Sequence, residues 1–92
     1  MAAYTYEAKE HVQKLFKKMD KKSHMQLLII RKKLAQILDD PYRFKPLNKP
    51  MQGIRAVHVD KSFVLTYSID EARKVVIIED YDHHDNIYEV SA

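Results

Sequence analysis

The apolar residues of this chain change period partway along it, and that change limits the possible folds more than any other feature. Through residues 10–39 they recur at the three- and four-residue spacing of a helix; after Gly53 they alternate or run together as in strands. Val12, Leu15, Phe16 and Met19 form a first stripe, with Lys14, Lys17 and Lys18 between them. Leu27, Ile30, Leu34 and Ile37 form a second, widened by Leu28 and Leu38. Ser23 stands between the two as an expected N-cap, its hydroxyl available to an orphan backbone N–H. Asp39-Asp40-Pro41 closes the second helix, because proline disfavours helix in the residue before it. Two helices with so short a connection form an antiparallel hairpin.

Residues 41–53, with Pro41, Pro46, Pro50 and the single glycine, read as a loop. In the stretch 54–59, Ile54, Ala56 and His58 alternate with Arg55, Val57 and Val59, which predicts a strand with Arg55 and His58 on opposite faces. Asp60-Lys61 is an expected tight turn. Phe63, Leu65, Tyr67 and Ile69 share one face of the next strand, with Tyr67 in the core, and Val75 to Ile78 is a run suited to a strand covered on both sides. Strands joined by short turns make an antiparallel meander, and Ala2 to Tyr6 are a candidate fourth strand. The expected class is α+β: an N-terminal helical hairpin packed on a three- to four-stranded antiparallel sheet, as a single domain of residues 1–92.

Composition removes several functions. No cysteine means no disulfide framework and no thiolate metal site, and is compatible with a reducing cytoplasm. No apolar run approaches the roughly 20 residues that span a bilayer, and the first residues lack the basic and apolar regions of a signal peptide, so neither a membrane partner nor export is expected. One glycine cannot build a glycine-rich phosphate loop, and no GxSxG elbow is present. Charge is unevenly divided. Residues 1–50 carry twelve Lys and Arg against five Asp and Glu; residues 51–92 carry four against eight. The basic half can attract a polyanion such as RNA, or simply solvate two amphipathic helices.

The residues suited to chemistry gather late. The segment 80–88 contains His83, His84, three aspartates, Tyr81 and Tyr88. Histidine gains and loses protons near neutral pH. Three readings fit the cluster: a divalent metal site, a short C-terminal helix capped by Asp82 or Asp85, or a phosphodiester-cleaving site. Spacing alone leaves the second and third open.

The order of these pieces resembles the RelE/ParE superfamily of toxin–antitoxin toxins, and among them the YafQ-like mRNA interferases. The resemblance runs from Thr5-Tyr6-Glu7-Ala8-Lys9 through Lys49-Pro50-Met51-Gln52-Gly53, Arg55-Ala56-Val57-His58-Val59-Asp60 and Phe63-Val64-Leu65-Thr66-Tyr67 to Asp82-His83-His84-Asp85-Asn86-Ile87-Tyr88. It implies a cytoplasmic, ribosome-dependent mRNA endoribonuclease, neutralised by a cognate antitoxin and using no metal or small-molecule cofactor. It further implies that His58 and either His84 or His83 serve as acid and base, with Arg55 and Tyr88 beside them. Arg43, Lys45, Lys49, Lys61 and Phe63 are the corresponding candidates for RNA contact. Lys49, Ala56, Ser62 and Val64 replace a histidine, two carboxylates and an arginine found in such toxins, which implies a weakened or differently specific enzyme. Two other classes remain open: a non-catalytic RNA- or ribosome-binding module, and a ParE-like toxin directed at gyrase.

Overall fold

A computed structural model describes residues 4–47 and 53–88. The elements, in chain order, are β1 (Thr5–Ala8), α1 (Glu10–Lys22), α2 (His24–Asp39), β2 (Arg55–His58), β3 (Phe63–Asp70), β4 (Val75–His83) and α3 (His84–Tyr88). The strands form one sheet in the order β1-β4-β3-β2. The α1–α2 hairpin covers one face. Val12, Ile30, Leu34 and Ile37 pack there against Val57, Val59, Leu65, Tyr67, Val76, Ile78 and Tyr81. The α+β class, the hairpin on the sheet and the meander of β2, β3 and β4 follow the periodicity of the sequence.

The sheet is mixed, not wholly antiparallel. β2–β3 and β3–β4 are antiparallel, but β1 pairs parallel with β4, Thr5 opposite Val75 and Ala8 opposite Ile78. Parallel neighbours need a long crossover, which the helical hairpin and the meander supply. β1 also begins later than the expected strand, the first three residues lying outside those described.

β4 holds a further departure. Thr66 pairs with Asp80 but Tyr67 pairs with Ile78, so Glu79 is an extra residue in the ladder. Such a bulge reverses the inward–outward phase of the residues beyond it. Ile78 and Tyr81, three apart, consequently both face the hairpin, and the strand continues to His83 instead of ending near Asp80. The bulged Glu79 is held by the Ser68 hydroxyl at 2.7 Å and the Lys9 ammonium at 3.6 Å.

Two local expectations are corrected. The Ser23 hydroxyl makes no capping bond; the Ser23 carbonyl instead accepts the Gln26 and Leu27 N–H groups, at 3.0 and 3.2 Å. Leu28 does not widen the buried stripe of α2. It lies with Met25 and Ile29 on the outer, solvent-facing side. Tyr67 is buried as expected. Its hydroxyl donates to the Pro41 carbonyl at 2.6 Å, and burial pushes its pKa up to about 12. No helix among the described residues is long and apolar enough to cross a membrane.

Leu34→Ala is expected to cost about 2–5 kcal/mol, the range for emptying a buried leucine site. Leu28→Ala should stay within about 0.5 kcal/mol, the usual range at a surface. Urea denaturation of the two variants checks the assignment of the two faces of α2.

Candidate functional site

The end of the sheet formed by the β2–β3 turn and the last residues of β4 collects most of the ionisable side chains singled out in the sequence. His83 is the last residue of β4, opposite Phe63. The two rings meet edge to face at 5.8 Å, and Phe63 also stacks on Tyr81 at 5.3 Å. His84 opens α3; its N–H donates to the Ser62 carbonyl at 2.7 Å, and its ring stacks on His83 with centroids 4.5 Å apart. The side chains of His83 and His84 are 39% and 40% exposed, so both are held yet open to solvent.

His58 lies on the other face from the hairpin. Val57 and Val59 enter the core, so the residue between them points away, and it is exposed. His58 pairs with Val64, which pairs in turn with Asp82, placing three side chains in one row across β2, β3 and β4. Asp82 Oδ1 accepts the Asn86 side-chain amide at 3.0 Å. That bond ties α3 to this face, and α3 packs on β3 and β4 with Ile87 buried. α3, which contains Tyr88, therefore returns to the side of the sheet that His58 occupies. Two strand spacings, about 10 Å, separate the backbones of His58 and Asp82.

Arg55 is not brought to that face. It sits three residues before His58, and its guanidinium donates to the Phe44 carbonyl at 2.6 Å while lying 5.1 Å from the centre of the Tyr42 ring. Arg43 is exposed and faces Asp39 at 3.4 Å. Lys45 is exposed in the same loop, and its carbonyl accepts the Ala56 N–H at 3.3 Å. Lys61 is exposed in the β2–β3 turn that contacts His84. Lys49 lies outside the described residues.

His83, His84 and Asp85 have potential ligand atoms within 4.8 Å of one another, so these are the described residues that can share a metal ion. Internal bonds also account for the cluster. Asp85 Oδ1 is 3.0 Å from His84 Nδ1, and the Asp85 N–H donates to His83 Nδ1 at 3.2 Å. Asp82 receives the His83 N–H at 2.7 Å and the Asn86 amide at the start of α3, in line with a carboxylate at a helix entry.

Two anchoring groups escaped the sequence reading. Asp60 was legible only as part of a turn. Its carboxylate is held below the usual range by hydrogen bonds from Gln26 and from the Ser62 and Phe63 N–H groups. Glu71 gathers Lys74, the Tyr42 hydroxyl at 2.6 Å and the Tyr4 hydroxyl at 2.9 Å, fastening the loop after α2 to the β3–β4 turn. These bonds lower its pKa from 4.5 to about 2. Nothing in the spacing of Tyr4, Tyr42 and Glu71 announces that they meet.

No protein-family model matches this chain. It is 41% identical over 85 residues, 92% of its length and 90% of the other's, to a Methanocaldococcus jannaschii protein named "Putative toxin RelE4". It is 46% identical, over 92% of its length and 99% of the other's, to an uncharacterised protein of Methanosarcina mazei. Among solved structures it is similar to the YoeB/ParE toxin of Agrobacterium tumefaciens, at 10% identity and a TM-score of 0.79, over 87% of this chain and 98% of that one. It is similar to a chain of the Mycobacterium tuberculosis RelBE2 toxin–antitoxin complex, at 22% identity and a TM-score of 0.72, over 87% and 96%. It is also similar to a chain of the E. coli DinJ–YafQ toxin–antitoxin complex, at 19% identity and a TM-score of 0.69, over 92% and 97%.

A pH effect follows from Glu71. Its folded pKa lies below the unfolded value, so its contribution to stability is full above about pH 4.5 and is lost as pH falls toward 2. Denaturation midpoints measured between pH 2 and 7 should fall less steeply on the acid side in Glu71→Gln than in the wild type.

Proposed function

We propose an activity on the premise that this chain belongs to the RelE family of toxins, as its 41% identity over nearly its whole length to a RelE relative establishes: it cleaves messenger RNA on the ribosome by metal-independent acid–base chemistry. The observation that carries the reading is the placement of ionisable histidines from two elements around one end of the sheet, His58 on β2 and His83 with His84 at the junction of β4 and α3. RNA cleavage by internal attack needs a base to take the 2′-hydroxyl proton and an acid to protonate the departing 5′-oxygen. His58 and His84 fill these two roles; His83, the other candidate, lies with Phe63 on the hairpin face, opposite to His58. Negative charge builds on the phosphorane oxygens, and a nearby cation stabilises it. We assign this role to Lys61, exposed in the turn that contacts His84, because the Arg55 guanidinium is already bound to the Phe44 carbonyl.

The openness of the site supports dependence on the ribosome. The described residues do have a groove of about 690 Å³, but Tyr6, Phe16, Lys17, Leu27 and Arg31 line it, between β1 and the helices. The histidines stand at the sheet end instead, where a large RNA-bearing surface can close over them and hold the scissile phosphate. Tyr88 in α3 and Phe63 beside His83 are the aromatic candidates for contact with bases.

The partner in the cell is an antitoxin on this reading, in keeping with the toxin–antitoxin complexes among the structural neighbours. Met25, Leu28 and Ile29, exposed together on α2, offer apolar surface of the kind that marks a protein interface.

Mapping mRNA 5′ ends after induction of the protein tests the activity. New ends within translated regions are expected. His58→Ala and His84→Ala, each with the fold intact, should lower cleavage about 10²–10⁴-fold, the range for loss of one acid or base. Full cleavage in both variants would remove the assignment. Ribosome binding without cleavage in the wild type would favour a binding module, and DNA damage with intact mRNA would favour a gyrase-directed toxin.

A further inference from the structure

We propose that Asp60 is a positioning residue for the His83–His84 pair, acting through the backbone of the β2–β3 turn. The inference rests on the reading of these histidines as acid–base groups. Asp60 Oδ1 accepts the N–H groups of Ser62 and Phe63, at 2.8 and 2.9 Å. Oδ2 accepts the Gln26 side-chain amide at 2.8 Å, and the same amide reaches the Tyr81 hydroxyl at 2.5 Å. One exposed carboxylate thus joins the start of α2 to the turn, and Gln26 extends the link to β4.

The two residues whose N–H groups Asp60 holds are the two that fix the histidines. The Ser62 carbonyl receives the His84 N–H, setting where α3 begins. The Phe63 ring packs against His83, and His83 stacks on His84. Rotation of the Ser62 or Phe63 peptide therefore moves both imidazoles. The Val59 N–H to Phe63 carbonyl bond of 3.0 Å closes the hairpin, and the Asp60 carboxylate fixes the Ser62 and Phe63 N–H groups within it. An ionised carboxylate is acceptor-only, which suits Asp60 to three donors at once, and these hydrogen bonds hold its pKa below the usual range. With three fixed donors, this carboxylate holds the turn against which both imidazoles rest.

Asp60→Ala and Asp60→Asn test this, each first shown to be folded by circular dichroism. Asparagine keeps a side-chain oxygen for the Ser62 and Phe63 N–H groups; alanine keeps nothing. Two measurements are made: the ring resonances of His83 and His84 in the free protein by NMR, and kcat and KM for cleavage of mRNA on programmed ribosomes. In Asp60→Ala the ring resonances of both histidines should shift, because the Phe63 ring no longer holds its place beside them. Its kcat should fall about 10–100-fold with KM within about threefold, since a misplacement near 1 Å can cost about 10² in rate. Asp60→Asn should restore most of the rate and the wild-type resonances.

Unmoved histidine resonances in Asp60→Ala would overturn the proposal, as would equal loss in the two variants or a change in KM alone. If the wild type cleaves no mRNA, the nuclease reading fails, and the NMR measurement still decides whether Asp60 sets the position of the histidines.

Discussion

A single extra residue in the central strand decides what this sheet presents on each face. Before Glu79, β4 sends Val76 and Ile78 toward the helices. A regular strand would then turn Asp80 and Asp82 inward, against Phe16, Leu65 and Val57, with two carboxylates unpaired in an apolar core. The bulge at Glu79 shifts the phase instead. Tyr81 enters the core, Asp82 joins the row of His58 and Val64 on the far face, and His83 lands beside Phe63. Ser68 and Lys9 hold the Glu79 carboxylate at the bend, so the irregularity is built and not merely tolerated. The core, the docking of α3 through Asp82 and the position of the histidine pair all depend on it.

The division of charge along the sequence acquires a spatial meaning once the strands are placed. The basic half becomes the helical layer and the loop after it. The acidic half includes Glu79, Asp80 and Asp82 on the strand that leads to the histidines. These carboxylates have partners: Lys9 for Glu79, His11 at 3.4 Å for Asp80, Asn86 for Asp82. A phosphate backbone crossing this face meets groups that repel it unless they are already engaged. On the proposed reading, attraction of RNA falls to the helices and the loop, while the sheet end supplies the proton-transfer groups.

The parts of the fold that could be read in the sequence are those that bury one face along a regular element. Val12 to Met19, Leu27 to Ile37 and Phe63 to Ile69 each keep a constant period, so their faces follow directly. β1 was obscure because three of its four residues are exposed and its order comes from pairing with β4, a contact 70 residues away in sequence. The second half of β4 was obscure for a different reason. With the phase reversed at Glu79, Asp80-Tyr81-Asp82 has the composition of a turn although it is strand. Ser23 carried the right residue type for a capping hydroxyl, but the one-residue link between the helices leaves its backbone to make the bonds.

The candidate site divides along the same line. His58, His83, His84, Tyr88 and Arg55 were all legible as residue types and through family resemblance; what Arg55 binds was not. Alternation already set Arg55 and His58 on opposite faces; the Phe44 carbonyl and the Tyr42 ring show what occupies the arginine there. It secures the loop after α2, the same loop that Glu71 fastens through Tyr42. Arg55 and Glu71 meet the one tyrosine from its face and from its hydroxyl, so the loop bearing Arg43 and Lys45 is set by contacts separate from those that set the histidines. Loop and histidine pair are joined through β2, the strand that begins at Arg55 and ends at His58, and through β3, whose Tyr67 hydroxyl holds the Pro41 carbonyl. The ladder from Arg55–Tyr67 to His58–Val64 locks these two strands together, so the loop and the proposed chemistry share one rigid support.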